Sequence, residues 1–121
     1  MHVAQCHCRA VRLEVAELTA TVTSCNCSVC RRYGALWAYY TREQVRLTAG
    51  PDALSAYSWG DRTIQFWHCR QCGCVTHYSS VENHPQARIA INARMLPLAT
   101  LQSLPIRHFD GAETWEYLDG D

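Results

Sequence analysis

The chain has 121 residues, the size of one domain, and 48% of them are hydrophobic, enough to bury a core and to exclude a disordered polymer. Its basic and acidic residues balance at 11 each, so bulk charge gives no reason to expect a nucleic-acid partner. All the basic residues are Arg; the absence of Lys excludes Schiff-base catalysis and a P-loop lysine.

Strand signals dominate the chain. Val11-Arg12-Leu13-Glu14-Val15 alternates apolar and polar residues with period two, which predicts a half-buried strand. Thr19 to Thr23 is rich in β-branched residues and reads as a second strand. A helical turn is expected after Cys27, through Val29-Cys30-Arg31-Arg32. Further strands are expected over Ala35 to Thr41, Thr63 to His68, Val75 to Ser79 and Ala87 to Arg94. Turns at Ala49-Gly50-Pro51-Asp52, Trp59-Gly60-Asp61 and Glu82-Asn83-His84-Pro85 separate these runs. One short helix is predicted from Pro97 to about Leu104, with Pro97 at the first helical position, Leu98, Leu101 and Leu104 on one side, and Pro105 as the stop. The fold class is mainly β.

Eight cysteines fall in three clusters: Cys6 and Cys8; Cys25, Cys27 and Cys30; Cys69, Cys72 and Cys74. Thiols two or three positions apart can meet one ion from a tight turn, but seldom reach the geometry of a disulfide with each other. The N-terminus lacks a charged-then-apolar export pattern, and no apolar run approaches the ~20 residues that span a bilayer. The expectation is therefore a reducing, cytoplasmic setting, with thiolate-bound zinc and no membrane partner. Cys6 and Cys8 cannot close a four-ligand site alone; Cys69 and Cys72 are their natural partners. Cys25, Cys27 and Cys30 then stand as a trio, and Cys74 is either a spare or the fourth ligand of that trio. Spacing leaves both options open.

Three motifs carry a resemblance: Cys6-His7-Cys8-Arg9-Ala10-Val11-Arg12-Leu13, Cys25-Asn26-Cys27-Ser28-Val29-Cys30-Arg31-Arg32-Tyr33-Gly34-Ala35, and Cys69-Arg70-Gln71-Cys72-Gly73. Arg88 to Arg94 and Pro105 to Ala112 extend it. In these the chain resembles the glutathione-dependent formaldehyde-activating enzyme family, whose domain also occurs in centromere protein V. The match runs from about Val3 to Trp115, which reads residues 1–121 as a single zinc-binding domain.

The resemblance implies a β-tent-like fold of small antiparallel sheets, stabilised by zinc. It implies a structural zinc on Cys6, Cys8, Cys69 and Cys72. It implies a second, catalytic zinc on Cys25, Cys27 and Cys30, with the fourth position open to a small thiol such as glutathione. The named activity joins formaldehyde to glutathione, which places it among the carbon–sulfur lyases. Two positions depart from the pattern. Arg9 stands where Gly is usual, and Gly there would give the backbone easy access to positive φ. Cys74 stands where a small or hydroxyl residue is common.

Other residues have lesser readings. Arg31 and Arg32 could clamp a substrate carboxylate, or simply face solvent. His7 and His68 could replace a cysteine as ligand, or neighbour the site. His77 could carry a proton, or be packed on its strand. Trp37, Tyr39, Tyr40, Trp59, Phe66 and Trp67 could line a pocket, although core packing is the default for such residues. Two alternatives of other classes stand beside the enzyme: a non-catalytic zinc-stabilised binding module, and a thiol redox protein using Cys69 and Cys72.

Overall fold

The computed structural model describes residues 1–120 and is mainly β. Ten strands form in chain order: β1 (His2–Gln5), β2 (Val11–Val15), β3 (Val22–Cys25), β4 (Trp37–Thr41), β5 (Val45–Ala49), β6 (Leu54–Tyr57), β7 (Ile64–Cys69), β8 (Val75–Ser80), β9 (Arg88–Asn92) and β10 (Ile106–Phe109). One helical turn, α1 (Cys30–Tyr33), follows β3, and α2 (Leu98–Gln102) precedes β10.

The strands form two sheets. A three-stranded sheet has the order β1-β2-β5, and a seven-stranded sheet the order β10-β3-β4-β9-β8-β7-β6. Neighbours are antiparallel except β10, which runs parallel to β3 and so departs from the expected all-antiparallel pattern. Parallel pairing needs a long crossover, and 80 residues between Cys25 and Ile106 supply one.

β2 is buried on alternate residues as its sequence predicts: Val11 and Leu13 are fully buried, and Arg12 faces solvent. These side chains pack with Ala38, Ile89 and Ile91 of the large sheet, forming a core between the two sheets. The opposite face of the large sheet carries a second cluster of Trp37, Phe66, Tyr78 and Ala90, packed with Cys30. The aromatic residues expected to fill core do so at Trp37 and Phe66; Trp59 is 45% exposed.

Two expected elements shift. The strand predicted over Thr19 to Thr23 forms at Val22–Cys25. The Thr19 hydroxyl donates to the Thr21 carbonyl at 2.8 Å, a local bond that competes with the ladder. Pro97 caps the helix in an extended conformation (ψ 144°) rather than occupying its first turn. Leu101 and Leu104 pack on the core, but Leu98 is 67% exposed and leaves the predicted apolar side.

Candidate functional site: two cysteine clusters

The turn between β1 and β2 meets the turn between β7 and β8. Their sulfurs, Cys6, Cys8, Cys69 and Cys72, all lie within 4.8 Å of one another. Cys6 and Cys8 Sγ are 3.7 Å apart, and Cys8 and Cys69 Sγ 3.5 Å. Four thiolates around one zinc at Zn–S ~2.3 Å in a tetrahedron have S···S separations of about 3.8 Å. The donor set and the spacing both fit that ion, and these four cysteines could hold it.

Each turn is built to aim its sulfurs. The Arg9 amide donates to the Cys6 carbonyl at 3.0 Å, and Arg9 takes φ 70°, the left-handed conformation anticipated for the position where Gly is usual. The Val11 amide donates to Cys6 Sγ at 3.3 Å. In the other turn Gly73, at φ 81°, donates its amide to the Cys69 carbonyl at 2.9 Å. A β-bulge between Trp67 and His68 lies just ahead of this turn. The four thiols have unequal acidity before an ion binds. Cys72 is drawn down to about 5: burial opposes this, but the amides of Cys74 and Cys8 stabilise its thiolate. Cys8 is pushed up to about 12; the Ala10 amide works against this, while burial and neighbouring thiols outweigh it.

The second cluster sits where β3 ends and α1 begins. Cys25, Cys27 and Cys30 sulfurs also lie within 4.8 Å of one another. The helical turn brings Cys30 back over Cys27, whose sulfur accepts the Cys30 amide at 3.4 Å. Gly34 ends the turn at φ 64°, donating to the Cys30 carbonyl. The buried Trp37 donates its indole N–H to Cys30 Sγ at 3.3 Å. Cys25 is held down at about 6, first by the Cys30 thiol, with help from the amides of Cys27 and Gly111. Cys30 is driven far up by the same hydrogen bond and by burial, so the proton of the pair stays on Cys30. Three sulfurs with N–H donors around them suit a cation, and leave a tetrahedral ion one further position.

A segment of the chain end covers this trio. A Cβ added at Gly111 would lie 2.6 Å from Cys25 Sγ and 3.2 Å from Cys27 Cβ, so only Gly fits. Asn26 fastens the segment: its side chain donates to Asp110 Oδ1 at 3.0 Å and accepts the Ala112 amide at 2.9 Å. Asp110 also accepts from the Thr114 hydroxyl at 3.0 Å. Sequence reasoning did not single out Asn26, Asp110 or Gly111 as site residues. The Asp110-Gly111 pair was a usable signal, since it marks a tight turn.

The remaining candidates fall as follows. Cys74 is partly buried beside Cys72, outside both sulfur groups. His7 is exposed and His68 half-buried, and neither enters a group. Arg31 and Arg32 are exposed on α1, and Arg32 donates to the Ser28 carbonyl at 2.7 Å. His77 is buried on the other face of the large sheet, stacked on Trp67 with Nδ1 2.7 Å from the Thr76 hydroxyl.

The geometry defines a cysteine-rich β protein with two clusters able to hold metal. The sequence model of the glutathione-dependent formaldehyde-activating enzyme family matches residues 1–104, and the chain belongs to this family. The chain is also similar to a crystal structure of a Rhodobacter sphaeroides protein, at 34% identity and a TM-score of 0.69, over 86% of this chain and 98% of that one. No helix among the described residues is long and apolar enough to cross a membrane.

Proposed function

We propose that the chain is a zinc-dependent enzyme of the carbon–sulfur lyase type, acting on a small thiol or its adduct. Glutathione and formaldehyde are the pair that the family's description carries. The reaction is an addition: the sulfur bonds to the carbonyl carbon, and the thiol proton ends on the carbonyl oxygen. The reverse breaks that C–S bond and returns the proton. We read the chain as one domain working in the cytoplasm, where thiols stay reduced.

The observation that carries this reading is the contrast between the clusters. One gathers four sulfurs and the other three. Zinc with four protein ligands is structural, and with three it keeps a position for substrate. Bound at the trio, zinc would favour the thiolate form of an incoming thiol and hold it for attack on an aldehyde.

The protein's own groups prepare that position. Cys25, Cys27 and Cys30 supply the ligands. The Trp37 indole and the Cys30 amide spread negative charge away from the sulfurs. Gly111 lets the chain end pack against Cys25 without a side chain that would displace its sulfur. Arg31 stands next to the trio without a side-chain hydrogen bond among the described residues, and is the arginine of the pair better placed to meet a substrate carboxylate. Cys27→Ser should abolish turnover of formaldehyde with glutathione while leaving the thermal transition in place. Retained turnover would overturn the enzyme reading and favour a binding module.

A further inference from the structure

The large sheet carries a concave site that neither sulfur cluster reaches. Ile64 on β7 stands opposite Ser80 on β8, and Arg88 on β9 lies one step beyond the Ser79–Ile89 pair, so the three form a row across one end of the sheet. The next row, Phe66, Tyr78 and Ala90, is buried and packs with Cys30, which seals this end of the sheet from the trio. Ile64, Ser80 and Arg88 line a cleft of about 450 Å³, a volume suited to a small molecule. Val81 and Glu82 complete its wall, and no cysteine lines it.

The cleft holds two opposite charges that do not pair with each other. Arg88 and Glu82 both line it, yet no ion pair among the described residues joins them or uses Arg88. Each is held on its own support. The Arg88 guanidinium lies 4.5 Å from the centre of the Tyr39 ring and beside the Tyr78 hydroxyl. Stacking fixes its plane and leaves an N–H edge for a carboxylate. Glu82 is fixed through its backbone: its amide donates to Ser80 Oγ at 3.1 Å, and its carbonyl accepts from Arg42 Nε at 3.2 Å. His84 Nε2 lies 3.2 Å from Glu82 Oε2, and Oε1 has no partner among the described residues.

This charge pattern selects its ligand. A simple anion would meet the Glu82 carboxylate, and a simple cation the Arg88 guanidinium; a molecule that carries both charges satisfies both groups. Val81 is 50% exposed on the wall and Ile64 is half-buried, an apolar surface that an aliphatic side chain would cover. We propose that the cleft binds a free aliphatic α-amino acid, with its carboxylate on Arg88, its ammonium on Glu82 and its side chain against Ile64 and Val81. This site is separate from the trio and stands whether or not the trio binds a thiol.

The test is titration of the isotope-labelled, zinc-loaded protein followed by backbone amide NMR shifts, with L-leucine, 4-methylpentanoate and 3-methylbutylamine as probes. The second lacks the ammonium of leucine and the third its carboxylate. Leucine should bind about tenfold or more tighter than either, the usual worth of one charge-assisted hydrogen bond. The shifts should gather at Ile64, Ser80, Val81 and Arg88. Arg88→Gln should weaken leucine to the level of the amine, and Glu82→Gln to the level of the acid, with zinc content and melting temperature unchanged in both. Arg88→Lys should recover part of the loss. Leucine binding no tighter than 4-methylpentanoate overturns the zwitterion site, as does the absence of binding by any probe at millimolar concentration. Shifts gathered at Cys25 to Cys30, or no weakening by either variant, put the ligand elsewhere and overturn the cleft.

Discussion

Gly111 is the one glycine of the chain at which an added Cβ would meet neighbouring atoms. A methyl group there would collide with Cys25 Sγ, a short side chain fixed to β3 and unable to yield without moving its sulfur. Gly111→Ala should therefore cost the trio its metal and leave the four-cysteine cluster loaded: one zinc lost per chain by elemental analysis, with the thermal transition lowered by only about 1 kcal/mol or less. His77 makes a different kind of prediction. Burial, aided by the charge of Arg42, lowers its pKa from 6.5 to about 4, so it stays neutral in the fold. The unfolded chain binds a proton below pH 6.5 that the native chain refuses. Stability from this source is complete above pH 6.5 and drains away as pH falls towards 4, by about 3 kcal/mol in all. Urea midpoints at pH 7 and pH 5 should show His77→Gln losing less stability on acidification than wild type. Equal losses would mean that His77 is charged in the fold.

At the scale of elements, the two turns of the four-cysteine cluster pose the question of Arg9. Its φ of 70° strains a side-chain-bearing residue, and its side chain is exposed. Arg9→Gly should stabilise the protein by about 0.5–1 kcal/mol, after allowing for the greater freedom of unfolded Gly, and raise the melting temperature by a few degrees. A lower melting temperature would mean that the Arg9 side chain contributes more than its strain. The chain end also acts as one element. β10 pairs with β3 and delivers Asp110 and Gly111 to the trio, yet it begins after residue 104, where the family match ends. The sequence made central strands legible because burial imposes alternation on them: β2 and β9 carry their pattern in Val11-Leu13-Val15 and Ile89-Ile91. It did not announce β1, β5, β6 or β10. These are the four edges of the two sheets, held by one neighbour each, so their sequences bear less of the pattern. The sulfur clusters were legible from spacing, but the cover of the trio by Asn26 and Gly111 was not, because those contacts join the turn after β3 to a segment more than 80 residues away.

Across the whole molecule, the four-cysteine cluster ties the first hairpin to the middle of the chain. Cys8 and Cys69 are 61 residues apart in sequence and 3.5 Å apart in space. A metal closing so long a loop removes much chain entropy from the unfolded state, and metal binding there is folding free energy. The trio closes only a local turn within one sheet. Losing a ligand should therefore have opposite consequences at the two places: Cys72→Ser should lower the melting temperature sharply, and Cys27→Ser should barely move it. The most direct measurement is zinc per chain, taken together with the melting temperature, for wild type and these two variants. Two zinc per wild-type chain, one in Cys27→Ser with its melting temperature intact, and unfolding at a much lower temperature in Cys72→Ser is the predicted result. Two zinc retained by Cys27→Ser, or equal loss of melting temperature in both variants, would contradict the division into a structural cluster and an open, thiol-binding one.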